Sequence, residues 1–269
     1  MTQQTAGTAS LVRTGAGLTS FRLDGAGPPL ILVHGLQIGQ ELFDELRGHL
    51  VPRFTVITYD QRDRGATTFG PSTYTTDDLA DDLAALIRAL GFARTHVLGT
   101  SFGGMVAQAF ALRHPELLHG LVLGATSQSP FRAERVAAPV AELLGALERG
   151  DEKRARALLA RMAPAVAPAD AEGAAGARSD EGDRLVRRFA AARSFDTRGR
   201  LGAIAAETLV LHGRDDTVVP LRDALSLAGE LPRADVLVLA GSGHAWENEQ
   251  PARAAAAIGA FLTAPAARR

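Results

Sequence analysis

An α/β fold built on a mostly parallel sheet is the architecture this sequence predicts, from three observations. Short β-type runs alternate with segments of helical period, the pattern of strands joined through crossover helices. Several of those runs are continuously apolar and close on glycine, as strands buried on both faces do. A length of 269 residues with 46% hydrophobic and 22% charged residues is that of an ordinary globular chain with one large domain, or a domain carrying an insertion.

Taken in order, LTSFRLDG (18–25) alternates like a half-buried strand and ends at a glycine turn. PLILVHG (29–35) is an unbroken apolar run, and FTVITYD (54–60) and THVLG (95–99) repeat the type. TTDDLADDLAALIRALG (75–91) between them reads as a helix. Leu79, Leu83, Leu86, Ile87 and Leu90 share one face, the acidic residues come early, and Gly91 stands at the stop position. LHGLVLGA (118–125), TLVLHG (208–213) and DVLVLAG (235–241) complete the strand set.

The alternation fails between about 130 and 203, where no strand-like run occurs. Leu143, Leu144 and Leu147 recur at helical spacing, as do Leu185 and Phe189, with a Pro/Ala/Gly-rich break around 164–177. The expected organisation is a core of residues 1–129 and 204–269 carrying a helical cap over 130–203.

Composition narrows the function. A formal net charge of −1 gives no global field for nucleic acid or an anionic membrane, so neither is an expected partner. With no cysteine there is no disulfide, thiolate metal site or cysteine nucleophile. The opening MTQQTAGTAS has neither a basic nor an apolar signal region, and no apolar run approaches the roughly 18 residues of a membrane span. The expectation is a soluble cytoplasmic protein.

The chemistry points to HVLGTSFGGMVAQAF (96–110). A nucleophile must project clear of the backbone, with space beside it for substrate and amide donors. A tight strand-to-helix turn achieves this only when the residues two before and two after lack side chains. Gly99-Thr100-Ser101-Phe102-Gly103 meets that demand, and the Phe102 amide would face an oxyanion formed at Ser101. Serine needs a base, and the base needs an orienting carboxylate. His49, His114 and His119 lie in or beside helical segments, His96 opens a strand, and His34 and His212 precede glycines at strand ends. His244 instead sits in LAGSGHAWENEQP, a small-residue loop after the last strand, at the sheet edge where open α/β folds place ligands. The carboxylate candidates are Asp215 and Asp216 in TLVLHGRDDTVVP. The order Ser101, Asp216, His244 is nucleophile, acid, base.

At this point nearly the whole chain resembles the α/β-hydrolase superfamily. PPLILVHGLQ is similar to its strand and His-Gly oxyanion loop, and YDQRDRG to its Asp-x-Arg-Gly loop. GTSFGGMVAQAFALRHPELLHGLVLGAT is similar to the nucleophile elbow with its helix and next strand, FDTRGRLGAIAAETLVLHGRDDTVVP to the acid segment, and GSGHAWENEQPARAAAAIGAFL to the histidine loop and final helix. The nearest group by likeness holds small esterases, cofactor-free haloperoxidases and lactonases typified by 3-oxoadipate enol-lactonase. The resemblance implies an eight-stranded, mostly parallel sheet flanked by helices, with the cap inserted after the sixth strand. It selects Asp216 over Asp215, because Gly213, Asp216 and Pro220 follow the family spacing. It also implies that Leu36 supplies the second oxyanion amide, that His34 and Gly35 organise that loop, and that Gly99 and Gly103 support the elbow. Gln37, Trp246, Phe131 and Phe189 are candidate pocket residues.

Two departures stand out. Arg62-Asp63-Arg64-Gly65 replaces the usual Arg-Gly-x-Gly and adds two charges, read as a surface pair, and Glu207 replaces a proline. The cap arginines Arg132, Arg135, Arg187 and Arg188 read as solvated helix faces, with contact to a substrate carboxylate as the other reading. The expected reaction is two-step acyl transfer to water from an ester or lactone, with no metal or organic cofactor. One oxyanion donor is worth roughly 3–4 kcal/mol in such sites. Carbon–carbon bond hydrolysis of a β-diketone and perhydrolase or haloperoxidase activity use the same triad, and a small-molecule receptor with a hydrolase-like pocket is the alternative of another class.

Overall fold

The computed structural model describes residues 9–15, 17–70, 72–130 and 174–264, and positions 141–143, 145–146, 149, 151, 153–155 and 157–158 in between; only the backbone is described for 174–181. Eight strands form one sheet: β1 (Ser10–Thr14), β2 (Gly17–Asp24), β3 (Pro29–Val33), β4 (Thr55–Tyr59), β5 (Thr95–Thr100), β6 (Leu118–Gly124), β7 (Thr208–Gly213) and β8 (Ala234–Leu239). Their order across the sheet is β1-β2-β4-β3-β5-β6-β7-β8. The β1–β2 and β2–β4 pairings are antiparallel and all others parallel.

The parallel strands are apolar throughout because each feeds two cores. Leu30, Leu32, Val56, Leu98, Val122, Leu209 and Leu211 face one side. There they meet α1 (Asp44–Leu50) and α6 (Pro251–Thr263) through Leu46, Leu50, Ala254, Ile258 and Leu262. Ile31, Val33, Ile57, Val97, Leu121, Leu123 and Val210 face the other, against α2 (Thr76–Ala89), α3 (Phe102–Arg113) and α5 (Leu221–Glu230). The period of two along a strand sorts these side chains onto opposite faces. Helix α2 begins with a reciprocal capping box between Thr75 and Asp78, and Gly91 just beyond it takes φ 79°.

Strand β1 is not among the runs the sequence marks. It is a short edge strand whose Leu11 is 55% exposed, so no buried face imposes an apolar pattern on it. Between β6 and β7 the long helix α4 (Ala174–Arg193) starts inside the stretch that composition marks as a break. Alanine supplies helix propensity there, and Gly176 is tolerated. Residues 131–140 and 159–173 of the expected cap lie outside the described residues. Among the described residues no helix is long and apolar enough to cross a membrane.

Candidate active site

Four loops converge at the C-terminal edge of the parallel strands. The first follows β5. Ser101 occupies the single position between β5 and α3 with φ 54° and ψ −121°, a strained conformation for a residue with a side chain. A side-chain carbon on Gly99 would lie 2.2 Å from the Gly103 carbonyl oxygen, and one on Gly103 would lie 2.0 Å from that of Val33. Only glycine at both positions lets strand, turn and helix approach this closely. The strain at Ser101 is held from three sides: its N–H donates to Gly124 O at 2.9 Å, and its carbonyl accepts from Gly104 N at 3.0 Å and from Thr126 Oγ1 at 2.8 Å.

The second loop follows β7. Asp216 has no exposed side-chain surface, and its Oδ1 accepts from the amides of Val218 at 2.7 Å and Val219 at 2.9 Å. Burial alone would raise this carboxyl, but the bond from His244 and the two amides hold it below the usual range. Asp215 next to it is exposed and pairs with Arg214 at 3.2 Å, so the two aspartates are separated by environment. His212 lies beneath, its Nε2 donating to Val219 O at 2.9 Å and standing 3.5 Å from Asp216 Oδ2. Burial lowers its pKa and keeps it neutral.

The third loop follows β8. Its carbonyls press against β7, since a side-chain carbon on Gly213 would lie 2.1 Å from Gly243 O. Glu249 pins the loop from the far side, accepting from Ser242 Oγ at 2.8 Å and Gly243 N at 2.5 Å. His244 is thereby held with Nδ1 2.8 Å from Asp216 Oδ2 and Nε2 3.0 Å from Ser101 Oγ. With the proton on Nδ1 donated to Asp216, Nε2 is left to accept from the serine hydroxyl.

The fourth loop follows β3. Gly35 stands beside Ser101: a side-chain carbon on it would make an ordinary contact, 3.7 Å from Ser101 Cβ. His34 is fully buried and neutral, because burial and the charge of Arg188 push its pKa well below the usual value. Its Nδ1 donates to Gly35 O at 2.8 Å while Nε2 accepts from Gln61 N at 3.1 Å, and Gln61 Nε2 donates to His34 O at 2.7 Å. His34 therefore ties the two loops together.

Ser101, Asp216 and His244 are thus brought into one hydrogen-bonded chain, with Leu36, Phe102, His34, Gly35, Gly99 and Gly103 around it. The candidate pocket residues fare differently. Gln37 is exposed and Phe131 lies outside the described residues. Trp246 is enclosed rather than pocket-facing: the ring has 0% exposure and lies where a side-chain carbon on Gly124 would come within 2.4 Å of it. Phe189 is 4% exposed and packs in the apolar cluster shared with α3.

Arg62 and Asp63 each bond outside their own loop. Asp63 accepts a two-pronged bond from Arg187 at 2.8 and 2.7 Å, and Arg62 grips Asp82 at 2.5 and 2.9 Å. Neither Arg187 nor Arg188 is a solvated helix face. Arg188 has 0% exposure, and the sequence carries no signal for it beyond an arginine beside the apolar spacing of Leu185 and Phe189. Glu247, buried beneath the histidine loop with its carboxyl pushed up to about 7 by desolvation, was likewise missed. Among the described residues no group of three or more His, Asp or Glu side chains is arranged to hold a metal ion.

The fold and this arrangement of loops define a hydrolase of the α/β class. The chain belongs to the alpha/beta hydrolase fold family, whose sequence pattern matches residues 28–246. It is 34% identical over 246 residues to a putative carbamate hydrolase RutD from Pseudomonas syringae pv. syringae (strain B728a), covering 88% of this chain and 94% of that one. It is 28% identical over 272 residues to the 2-hydroxymuconate semialdehyde hydrolase of Pseudomonas sp. (strain CF600), covering 91% and 90%. A solved thermophilic esterase from Thermogutta terrifontis superposes with a TM-score of 0.75 at 27% identity, covering 95% of this chain and 98% of that one.

Proposed function

We propose that this protein is a serine hydrolase that cleaves a carboxylic ester or lactone of a small molecule through an acyl-enzyme. The observation that carries the reading is the hydrogen-bonded chain Ser101–His244–Asp216, at 3.0 and 2.8 Å, on a nucleophile strained into an elbow. Ser101 Oγ attacks the carbonyl as its proton passes to His244 Nε2. The amides of Leu36 and Phe102 receive the oxyanion, and Asp216, already ionised, stabilises the imidazolium. His244 then protonates the leaving alkoxide. Water, deprotonated by the same nitrogen, releases the acid and restores Ser101. The insertion between β6 and β7 acts as a cap over this edge of the sheet, and neither metal nor organic cofactor enters any step.

A carbamate is the second reading, favoured by the name of the 34% identical relative. Its carbonyl passes through the same tetrahedral oxyanion, so the same residues serve. The name of the second relative keeps carbon–carbon cleavage in the comparison as well.

The deciding experiment is steady-state hydrolysis of p-nitrophenyl esters of increasing chain length, a p-nitrophenyl carbamate and a vinylogous diketone, with wild type beside Ser101→Ala. Ester turnover that falls by about 10⁴-fold or more in the variant supports the reading. Equal rates in both proteins overturn the triad. Carbamate turnover exceeding that of every ester moves the assignment to the second reading, and stoichiometric binding without turnover moves it to a receptor.

A further inference from the structure

Arg188 is the one fully buried arginine among the described residues, and its bonds are unusual for a buried cation. No carboxylate among the described residues accepts from it. Instead Nη2 donates to Gly35 O at 3.0 Å, Nε to Leu36 O at 2.8 Å and Nη1 to Arg62 O at 2.8 Å. The guanidinium carbon lies 5.4 Å from the centre of the Phe102 ring. Burial draws its pKa down to about 10, which leaves it charged at neutral pH. A helix from outside the sheet thus reaches both residues whose amides the acyl-transfer reading assigns to the oxyanion.

We propose that Arg188 is a positioning residue for oxyanion stabilisation, holding and polarising the peptide unit between Gly35 and Leu36. This rests on the reading that the Leu36 amide receives the oxyanion. The Gly35 carbonyl and the Leu36 N–H belong to one planar peptide unit, and no peptide bond in the described chain is cis. A donor on the carbonyl side therefore fixes the N–H in the opposite direction. Next, the same carbonyl accepts from His34 Nδ1 at 2.8 Å as well as from Arg188. Two donors, one of them cationic, withdraw electron density from the oxygen and strengthen the N–H as a donor. Last, the bond from Nε to the Leu36 carbonyl anchors the following peptide unit too, so the Leu36 backbone is gripped on both sides of its α-carbon. A neutral side chain would satisfy one carbonyl; the planar fork of arginine reaches three from two loops.

The alternative is that Arg188 only docks the cap. Arg187 provides the control, because its two-pronged bond joins the same helix to the Asp63 carboxylate rather than to the Gly35 and Leu36 carbonyls that Arg188 holds. The test compares Arg188→Lys, Arg188→Met and Arg187→Met. It reads kcat and KM for the preferred p-nitrophenyl ester, and the amide proton and nitrogen shift of Leu36 in a Ser101→Ala background.

Loss of the clamp is expected to lower kcat by ~10- to 100-fold with KM within ~3-fold, since a misaimed donor costs less than a missing one. The Leu36 amide proton should move upfield and exchange faster. Arg188→Lys, which keeps the charge without the fork, is expected to fold and to lose ~10-fold in kcat, so the proposal stays testable if the methionine variant does not fold. Arg187→Met should stay within ~3-fold of wild type. An equal loss in Arg187→Met, or a loss confined to KM, overturns the proposal in favour of docking or substrate binding. A Leu36 amide unmoved in an Arg188 variant of an active enzyme overturns this proposal alone. A wild type inert towards every substrate, with Leu36 shifting as expected, instead overturns the acyl-transfer reading and leaves the peptide clamp standing as structure.

Discussion

Two buried carboxylates lie near His244, and their environments push them to opposite charge states. Asp216 is held ionised by the His244 bond and two amides despite its burial. Glu247 has burial without comparable support, its Oε2 lacks a hydrogen-bond partner, and its pKa rises from 4.5 to about 7. The stability consequence follows from the sign. A carboxyl raised on folding binds its proton more tightly in the native state, so that contribution is full below pH ~4.5 and is lost as pH climbs through ~7. At 1.36 kcal/mol per unit the loss amounts to ~3 kcal/mol. Glu247→Gln should remove this decline, making the variant the more stable protein at pH 8; urea midpoints at pH 5 and pH 8 check it. Parallel declines in both proteins would place the pH sensitivity elsewhere. For Asp216→Asn the expected outcome is a fall in kcat of ~10³- to 10⁴-fold with the fold intact, because the amide presents the wrong partner to Nδ1. The sequence placed Ser101, His244 and the Asp215–Asp216 pair in loops after strands, and the family resemblance chose between the two aspartates; the structure joins Asp216 to His244 and leaves Asp215 exposed. Glu247 was not legible, because its burial is made by the neighbouring Trp246 entering the core, a consequence of packing rather than of local pattern.

The elements show the same division. The strand–elbow–helix unit was readable because its glycines are demanded by backbone approach, and the two faces of the sheet were readable from continuous apolar runs. That demand can be measured. Gly103→Ala pushes a methyl group into the Val33 carbonyl, part of a central strand that cannot yield. The expected cost is ~3 kcal/mol or more, with loss of serine labelling by a phosphonate. Gly48→Ala predicts the opposite sign. Gly48 lies on an exposed face of α1 with nothing within 4 Å of an added carbon, so the substitution should stabilise by ~0.5–1 kcal/mol. Urea unfolding of the two variants beside wild type reads both; stabilisation by Gly103→Ala would refute the close-approach account of the elbow. Strand β1 and the start of α4 escaped the sequence. Neither has a strongly patterned apolar face: β1 takes its structure from its pairing with β2, and the start of α4 from alanine propensity inside a stretch whose composition reads as a break.

Across the molecule, the segment between β6 and β7 is bound to the sheet by more than its chain ends. Phe189, Ala191, Ala192 and Phe195 belong to the same apolar cluster as Val97, Phe102 and Val210. Arg187 bonds Asp63, and Arg188 grips the oxyanion loop. Beyond the helix, Thr197 Oγ1 donates to Gln108 Oε1 at 2.8 Å, and Gln108 Nε2 reaches Ser127 O at 3.0 Å in the loop after β6. The stretch where the strand alternation fails falls between β6 and β7. Its charged contacts could not be foreseen, because Asp63 and Arg187 lie 124 residues apart and meet only once the sheet has formed. A shared cluster predicts shared unfolding. Asp63→Asn with Thr197→Val should remove ~1–3 kcal/mol of attachment. If the apolar continuity governs, the whole unfolding transition moves to lower urea as one step. Trp246 fluorescence reports the opposite face of the sheet, while far-UV circular dichroism reports every helix. Coincident midpoints from the two probes are expected in wild type and in the double variant. An early helical phase that leaves the tryptophan transition in place would mean that polar contacts, rather than the cluster, join the segment to the sheet.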